Sequence, residues 1–155
     1  MDDIIKSEPG EANPQELFEF LKDVDGYFQP PISTKVDLQV YAQKLAEHAT
    51  NFVAKDNGQI IGLSSTYINK YPEMSFGTYV CVKEEYQKDG LIGVELMMNG
   101  IKEAKNKGSK GVWCMIRKSD VALWKFYKRM GFSIVKEVPV EGSDVIELHI
   151  EKIFK

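Results

Sequence analysis

The sequence predicts a mixed α/β domain, on three observations. Apolar residues recur at helical spacing in four segments. Between them lie short runs rich in β-branched and aromatic residues, bounded by turn residues. The order is two helices, a hairpin and then β-α-β-α-β-β, which favours a mixed sheet over a series of parallel βαβ units.

The first half of the chain predicts two helices. Asn13 supplies the N-cap of the first helix, Pro14 its first helical position and Asp25-Gly26 its end. Ser33 or Thr34 can cap the second helix, whose apolar residues recur as far as residue 49. The loop before the first helix covers residues 7–11.

Three strands follow these helices. Strands at residues 51–55 and 59–69 flank Asp56-Asn57-Gly58, which predicts a tight hairpin turn. Tyr71-Pro72 ends the second of these strands, and a third strand covers Met74 to Val82.

The second half predicts a long helix, a strand, a short helix and two closing strands. The long helix begins at Gly90 and ends at Gly108. A strand from Gly111 to Ile116, a helix from Asp120 to Met130 and strands at 132–138 and 145–153 complete the chain. The residues of the long helix expected to face the core are Leu91, Val94, Met97, Met98, Ile101 and Ala104.

Length and composition predict one domain. The chain has 155 residues, of which 43% are hydrophobic, enough to form a core over residues 1–155. No apolar run reaches the length of a membrane span, and the first six residues lack the features of a signal peptide. We therefore expect a cytoplasmic protein that does not bind membranes.

Charge is distributed unevenly. Residues 83–130 carry 11 Lys/Arg and 6 Asp/Glu, although the whole chain has a net charge of −3. A basic segment suits a polyanionic small ligand, while the overall acidity argues against nucleic acid as a partner. The alternative is that these lysines belong to solvated helix faces.

The cysteines and histidines predict no metal site. Cys81 and Cys114 both lie within apolar, strand-like runs, as expected for buried thiols that behave as small hydrophobic residues. His48 and His149 are the only histidines in the sequence, too few for a histidine-based metal centre.

The most informative segment covers residues 79–93. A strand leads into a short polar loop with two glycines and then into the long helix. The N–H groups and positive dipole end of such a helix can bind a pyrophosphate. The alternative is an ordinary strand-to-helix connection.

This segment resembles the acetyl-CoA motif of the GNAT acetyltransferase family. That motif places Gly three residues after Arg or Gln, followed two residues later by Gly or Ala. Gln87 and Gly90 match it, whereas Ile92 occupies the last small position and Gly93 lies beside it.

A second segment, from Asp120 to Phe132, resembles the closing motif of the same family. That motif runs from Asn through a helix with Leu-Tyr to Gly-Phe. Tyr127 and Gly131-Phe132 are in register, whereas Asp120 replaces the usual Asn and Phe126 the usual Leu.

The resemblance implies a mostly antiparallel sheet flanked by helices, with two central strands splayed apart. It implies acetyl transfer from acetyl-CoA to an amine, with Tyr127 as the general acid for the departing thiolate. The residues implied in cofactor binding are Val80, Cys81, Val82, Gln87, Lys88, Asp89, Gly90, Leu91, Ile92, Gly93 and Asp120. No residue is identified as the general base, and a water chain is one alternative.

The family builds its acceptor site from the first two helices and the adjacent loops. This implies Tyr27, Phe28 and Tyr67 as acceptor-binding residues. The segment 28–33 resembles members associated with surface-polysaccharide synthesis, which favours an amino sugar or nucleotide sugar. Open alternatives are a protein N-terminus, a polyamine, or a CoA-binding domain without turnover. Whether the chain forms a homodimer is also left open.

Overall fold

The computed structural model describes residues 3–28, 30–71, 73–88 and 90–155, and for Lys70 and Tyr71 only the backbone. The predicted break at Pro72 and the predicted cofactor contact of Asp89 fall outside this part of the chain.

The strands are β1 (Ile5–Ser7), β2 (Thr50–Asp56), β3 (Gln59–Tyr71), β4 (Met74–Val82), β5 (Gly111–Arg117), β6 (Ser133–Pro139) and β7 (Ile146–Ile153). The α-helices are α1 (Pro14–Val24), α2 (Leu38–His48), α3 (Leu91–Asn106) and α4 (Val121–Arg129).

The strands form one sheet in the order β1-β2-β3-β4-β5-β7-β6. Neighbouring strands are antiparallel except β4 and β5, which run parallel. Those two pair only over residues 74–76 and 111–113, and beyond that point they separate. The predicted mixed, mostly antiparallel sheet with splayed central strands is therefore confirmed.

Helices cover both faces of the sheet. On one face, α1 and α2 pack on β2, β3 and β4. On the other, α3 packs on β2 and β4, while α4 packs on β5 and β7. Burial of each leucine or isoleucine side chain contributes about 1.5–3 kcal/mol to the free energy of unfolding. The largest fully buried apolar side chains are Leu17, Leu21, Leu45, Leu63, Leu96 and Ile150. Within the described residues, no helix is long and apolar enough to cross a membrane.

The helix caps follow the sequence at α1 but not at α2. Asn13 Oδ1 accepts hydrogen bonds from the first turn of α1, as predicted. The predicted cap of α2 at Ser33 or Thr34 is wrong, because both lie in a separate 3₁₀ turn. Asp37 caps α2 instead, accepting from the N–H of Gln39 at 2.8 Å. The Ser33 N–H and hydroxyl both donate to the Asp25 carboxylate, which anchors the turn to the end of α1.

The hairpin and the boundaries of β4 agree with the sequence. Asn57 and Gly58 both have positive φ, as a type I′ turn requires. In contrast, β1 was not predicted, because it has only three residues and Ser7 was assigned to a loop. It pairs antiparallel with β2 at the sheet edge.

The predicted core face of α3 is wrong in part. Leu91 and Met98 are 65% and 48% exposed, and Val94 is exposed as well. The buried face carries Ala104, as predicted, together with Leu96, Gly100 and Glu103, which were not predicted. Gly100 permits close packing, since a Cβ there would lie 2.9 Å from Thr66 Oγ1 on β3. Glu103 is buried, and its charge is balanced by Lys6 of β1, whose Nζ is 3.2 Å from the carboxylate.

Candidate active site

A β-bulge marks the point where β4 leaves β5. Tyr79 pairs with Ser65 and Gly77 with Thr66, so Thr78 is one extra residue on β4. Such a bulge bends its strand and increases the local twist. The bulge directly follows the three residue pairs that join β4 to β5. It therefore accounts for the gap between the two central strands.

The gap contains a cavity of about 300 Å³ that passes through the sheet. Cys114 and Ile116 line it and pack in the same core as α4. Met115 and Arg117 also line it and, by strand alternation, lie on the opposite face. A molecule in this cavity can therefore be reached from both faces of the sheet.

Beyond the bulge, β4 has an unpaired edge. The Lys83 N–H donates to the Ile61 carbonyl at 2.8 Å, so the N–H and C=O of Lys83 face β3. Because these groups alternate along a strand, those of Cys81 also face β3, and those of Val80 and Val82 face the gap. The Cys81 side chain packs in the core under α1 and α2. The gap edge is thus formed by Val80 and Val82.

Gln87 connects this edge to the following loop. Its side-chain N–H donates to the Val82 carbonyl at 2.7 Å. The Gly90 N–H donates to the Gln87 carbonyl at 3.1 Å and closes a turn immediately before α3. Gln87 and Lys88 are exposed. The loop therefore lies at the surface, next to the end of the open edge.

Helix α3 begins differently from the other helices. Asn13, Asp37 and Asp120 each accept hydrogen bonds from the first turns of α1, α2 and α4. Among the described residues, no side chain caps α3, which begins after Gly90. Gly90 has φ of +72°, and nothing lies within 4 Å of where its Cβ would be. The space in front of this turn is open to a ligand.

Ile92 and Gly93 lie in the first turn of α3. The Ile92 side chain packs inward against the cluster of Phe52, Val82 and Leu96. A Cβ at Gly93 would make ordinary contact with Val82 at 3.8 Å. Because its side chain points inward, Ile92 does not fill the space outside the loop, although the family motif has a small residue there.

Asp120 lines the cavity at the start of α4. Its Oδ1 accepts a hydrogen bond from the Leu123 N–H at 3.1 Å. The carboxylate is exposed and acts as the helix cap. If Asp120 also contacts the cofactor, its carboxylate must do so while it caps α4.

Tyr127 lies on α4 and is 5% exposed. Its ring packs edge-on against Phe132, with centroids 4.9 Å apart, and the residue lines the cavity. Its hydroxyl lies beside the Cys114 thiol on β5. Burial and then the neighbouring thiol raise the pKa of Tyr127 well above its usual value. The hydroxyl is therefore protonated at neutral pH and can donate a proton.

Neither cysteine has the properties of a nucleophile. Burial raises the pKa of Cys81 to about 11 and that of Cys114 to about 12. Because the thiolate is the reactive form, both thiols are inert at neutral pH.

The structure separates the three aromatic residues implied in acceptor binding. Phe28 lines the cavity and packs on Tyr79, with ring centroids 5.7 Å apart. Tyr27 lies at the surface, where its hydroxyl accepts a hydrogen bond from the Glu84 N–H at 2.9 Å. Tyr67 is buried, with Lys44 Nζ 5.6 Å from its ring centroid, and does not line the cavity. Only Phe28 is brought to the gap.

Several residues lining the cavity were not predicted. The apolar ones on the α3 and α4 side are Met97, Ile101 and Leu123, and the charged ones are Arg117 and Glu147. The two charged residues are register partners at the ends of β5 and β7. They are far apart in sequence, so only strand order and register bring them together.

A sequence profile described as "Acetyltransferase (GNAT) family" matches residues 16–132. A comparison with curated protein sequences finds no match.

Solved structures of similar fold include two full-length matches. The ribosomal-protein-S18-alanine N-acetyltransferase from Escherichia coli is 18% identical with a TM-score of 0.75, over 97% of this chain and 94% of that one. The ribosomal-protein-alanine N-acetyltransferase from Brucella melitensis is 20% identical with a TM-score of 0.73, over 97% and 99%. At these identities the likeness shows the fold.

A third match is partial. A Bacillus anthracis protein solved with acetyl coenzyme A is 21% identical, with a TM-score of 0.60 over 70% of this chain. The present chain spans 64% of that protein's length.

Proposed function

The chain belongs to the GNAT acetyltransferase family and is an acetyl-CoA-dependent N-acetyltransferase. We propose that it acetylates a small amine in the gap between β4 and β5. The observation that carries this proposal is the gap itself. It is lined by Val80 on the open edge of β4 and by the buried, protonated Tyr127. Helix α3, which no described side chain caps, begins beside the same strand, with Gly93 next to Val82. Starting from the ammonium form, the nitrogen joins the acetyl carbon and loses two protons as the C–S bond breaks. The departing thiolate takes up one proton, so the products are an amide, CoA as the thiol and one proton.

The open edge of β4 fits the amide-containing arm of acetyl-CoA. Backbone groups of Val80 face the gap, so an extended chain can add there as a further strand would. The Val82 carbonyl is held by Gln87, which joins the strand edge to the loop. We assign Val80 and Val82 to this arm, whereas Cys81 supports the strand from its other side.

The start of α3 fits the pyrophosphate. N–H groups of its first turn and the positive end of the helix dipole favour anions. The open space at Gly90 permits close approach to the backbone. Lys88 and the residues from Gly90 to Gly93 lie next to this position, and the charge of Lys88 would add attraction.

Tyr127 is assigned as the general acid. It lines the cavity, and its raised pKa keeps the proton on the hydroxyl until the leaving thiolate requires it. Because both cysteine thiols are protonated at neutral pH, direct transfer to the amine is favoured over an acetyl-cysteine intermediate.

The acceptor is assigned more coarsely. Phe28 lines the cavity and would contact the acceptor, with Tyr27 and Tyr67 lying further away. The resemblance of residues 28–33 supports an amino sugar or nucleotide sugar. The ribosomal-protein N-acetyltransferases of similar fold support a protein N-terminus as the alternative. A domain that binds CoA without turnover predicts cofactor binding but no acetylated product.

A matched pair of glycine variants tests the pyrophosphate position. Gly90 and Gly108 both have positive φ, +72° and +85°, and both face open space. Alanine at either site should cost about 1 kcal/mol of stability through backbone strain. Only Gly90→Ala should weaken acetyl-CoA binding, by about 10-fold or more, since its methyl group would enter the ligand's space. Calorimetric titration measures this, and equal affinity of the two variants would refute the assignment.

A further inference from the structure

Two opposite charges lie together at one opening of the cavity. Arg117 ends β5, and Glu147 is its direct partner on β7. Side chains at such paired positions have Cβ atoms about 4.5–5.5 Å apart. Both residues are partly buried, and both line the cavity.

These side chains lie on the face opposite α4. Neighbouring residues Ile116 and Leu148 are in the core under α4, so strand alternation places Arg117 and Glu147 on the other face. Phe28 and Ile32, from the connection between α1 and α2, line the cavity as well and pack in the core of that other face. This is the face by which an acceptor can reach the gap without crossing α4.

Within the described part of the chain, neither charged group contributes an ion pair or hydrogen bond to the fold. Across the described residues, Arg117 and Glu147 form no side-chain hydrogen bond or ion pair, with each other or with another side chain. Adjacent Lys118 is paired, with its Nζ 2.9 Å from Glu137. The third charged residue lining the cavity, Asp120, caps α4. Both side chains keep contact with solvent at the cavity, so a ligand that supplies both counter-charges can reach them.

We propose that the acceptor of this enzyme carries an anionic group within two or three bonds of the carbon that bears its amine. Glu147 binds the ammonium form of the amine, and Arg117 binds the anion, in a fork that suits carboxylate or phosphate oxygens. The two side chains start from paired backbone positions, so the amine and the anion that they bind must be close together on the ligand. An α-amino carboxylate and an amino-sugar 1-phosphate share this chemistry. The inference rests on the proposed acetyltransferase function.

The test compares matched acceptors that differ only in the anion. One pair is an L-amino acid and its carboxamide, drawn from a panel of the common amino acids. The other pair is glucosamine 1-phosphate and glucosamine. Release of free CoA and the mass of the product are measured for each. In the wild-type enzyme the anionic member of one pair should have the higher kcat/KM, by about 10- to 100-fold, since charged hydrogen bonds are strong. The pair that shows the preference distinguishes carboxylate from phosphate.

Variants then assign the preference to Arg117. Arg117→Gln should raise KM for the anionic acceptor and bring the ratio within the pair close to one, with kcat little changed. Arg117→Lys should restore part of the ratio, whereas Lys118→Gln should leave it at the wild-type value. Glu147→Gln should lower kcat/KM for both members of a pair, with Glu151→Gln on the same face as its control. Melting temperatures exclude loss of folding as the cause.

Equal or faster acetylation of the neutral members would overturn the proposal, as would an unchanged ratio in Arg117→Gln. Absence of product from the whole panel, with normal acetyl-CoA binding, would also refute it. Failure of the proposed function would be seen separately, since polyamines and peptides with free N-termini would then also give no acetylated product.

Discussion

Replacing Tyr127 with phenylalanine is expected to slow acetyl transfer by about 10²–10⁴-fold, the usual contribution of a general acid. The variant keeps the ring that packs on Phe132 and removes only the hydroxyl beside Cys114. Acetyl-CoA affinity should change little, because the strand edge and loop assigned to it are elsewhere. Single-turnover acetyl transfer and the dissociation constant measure the two effects.

A purely structural role for Tyr127 makes the opposite prediction. Loss of a buried hydroxyl would then cost about 1–3 kcal/mol of stability and leave the transfer rate unchanged. Tyr41→Phe is the matched control, because Tyr41 on α2 is partly buried and its hydroxyl lies 3.4 Å from Thr78 Oγ1. We expect that control to lose stability only. In the wild type, the raised pKa of Tyr127 also predicts no loss of rate from its ionisation up to about pH 10.

Proline at two adjacent positions of β4 should affect two different properties, cofactor affinity at one and stability at the other. Val80→Pro removes an N–H that faces the gap, so the protein should fold and bind acetyl-CoA about 10-fold more weakly. Cys81→Pro removes an N–H that faces β3, opposite Leu63, and should lower the free energy of unfolding by at least about 3 kcal/mol. Both variants impose the same restriction on φ, so each controls for the other.

Thermal melts and acetyl-CoA titrations of the two proline variants show which N–H group of β4 faces the gap and which pairs with β3. If Val80→Pro folded and kept full affinity for acetyl-CoA, the cofactor arm would not lie along this edge. If Cys81→Pro were as stable as Val80→Pro, the alternation inferred from the Lys83–Ile61 hydrogen bond would be wrong.

The local features of the fold were predictable from the sequence because short-range chemistry decides them. Asn13-Pro14 starts α1 and Asn57-Gly58 forms a type I′ turn, each through interactions within a few residues. The loop before α3 was identified differently, through the resemblance of Gln87 and Gly90 to the family motif. Gly90 has the positive φ for which glycine is suited.

Features that depend on distant parts of the chain were missed. In the sequence alone, Glu103 is typical of an exposed helix residue, and its pairing with Lys6 depends on the position of β1. Gly100 alone predicts a weakened helix, and its role in packing depends on the position of β3. The bulge at Thr78 has no local sequence signal and appears only in the register with β3. Arg117 and Glu147 meet for the same reason, through the pairing of β5 with β7.

The most direct test of the central claim is a product balance with the wild-type enzyme. Acetyl-CoA is mixed with amino acids, amino sugars and their phosphates, polyamines and peptides with free N-termini, and free CoA and acetylated amine are both quantified. We expect N-acetylated product and free CoA in equal amounts, dependent on the enzyme and on one class of amine. Binding of acetyl-CoA with no acetylated amine from any class would contradict it and favour a CoA-binding domain without turnover.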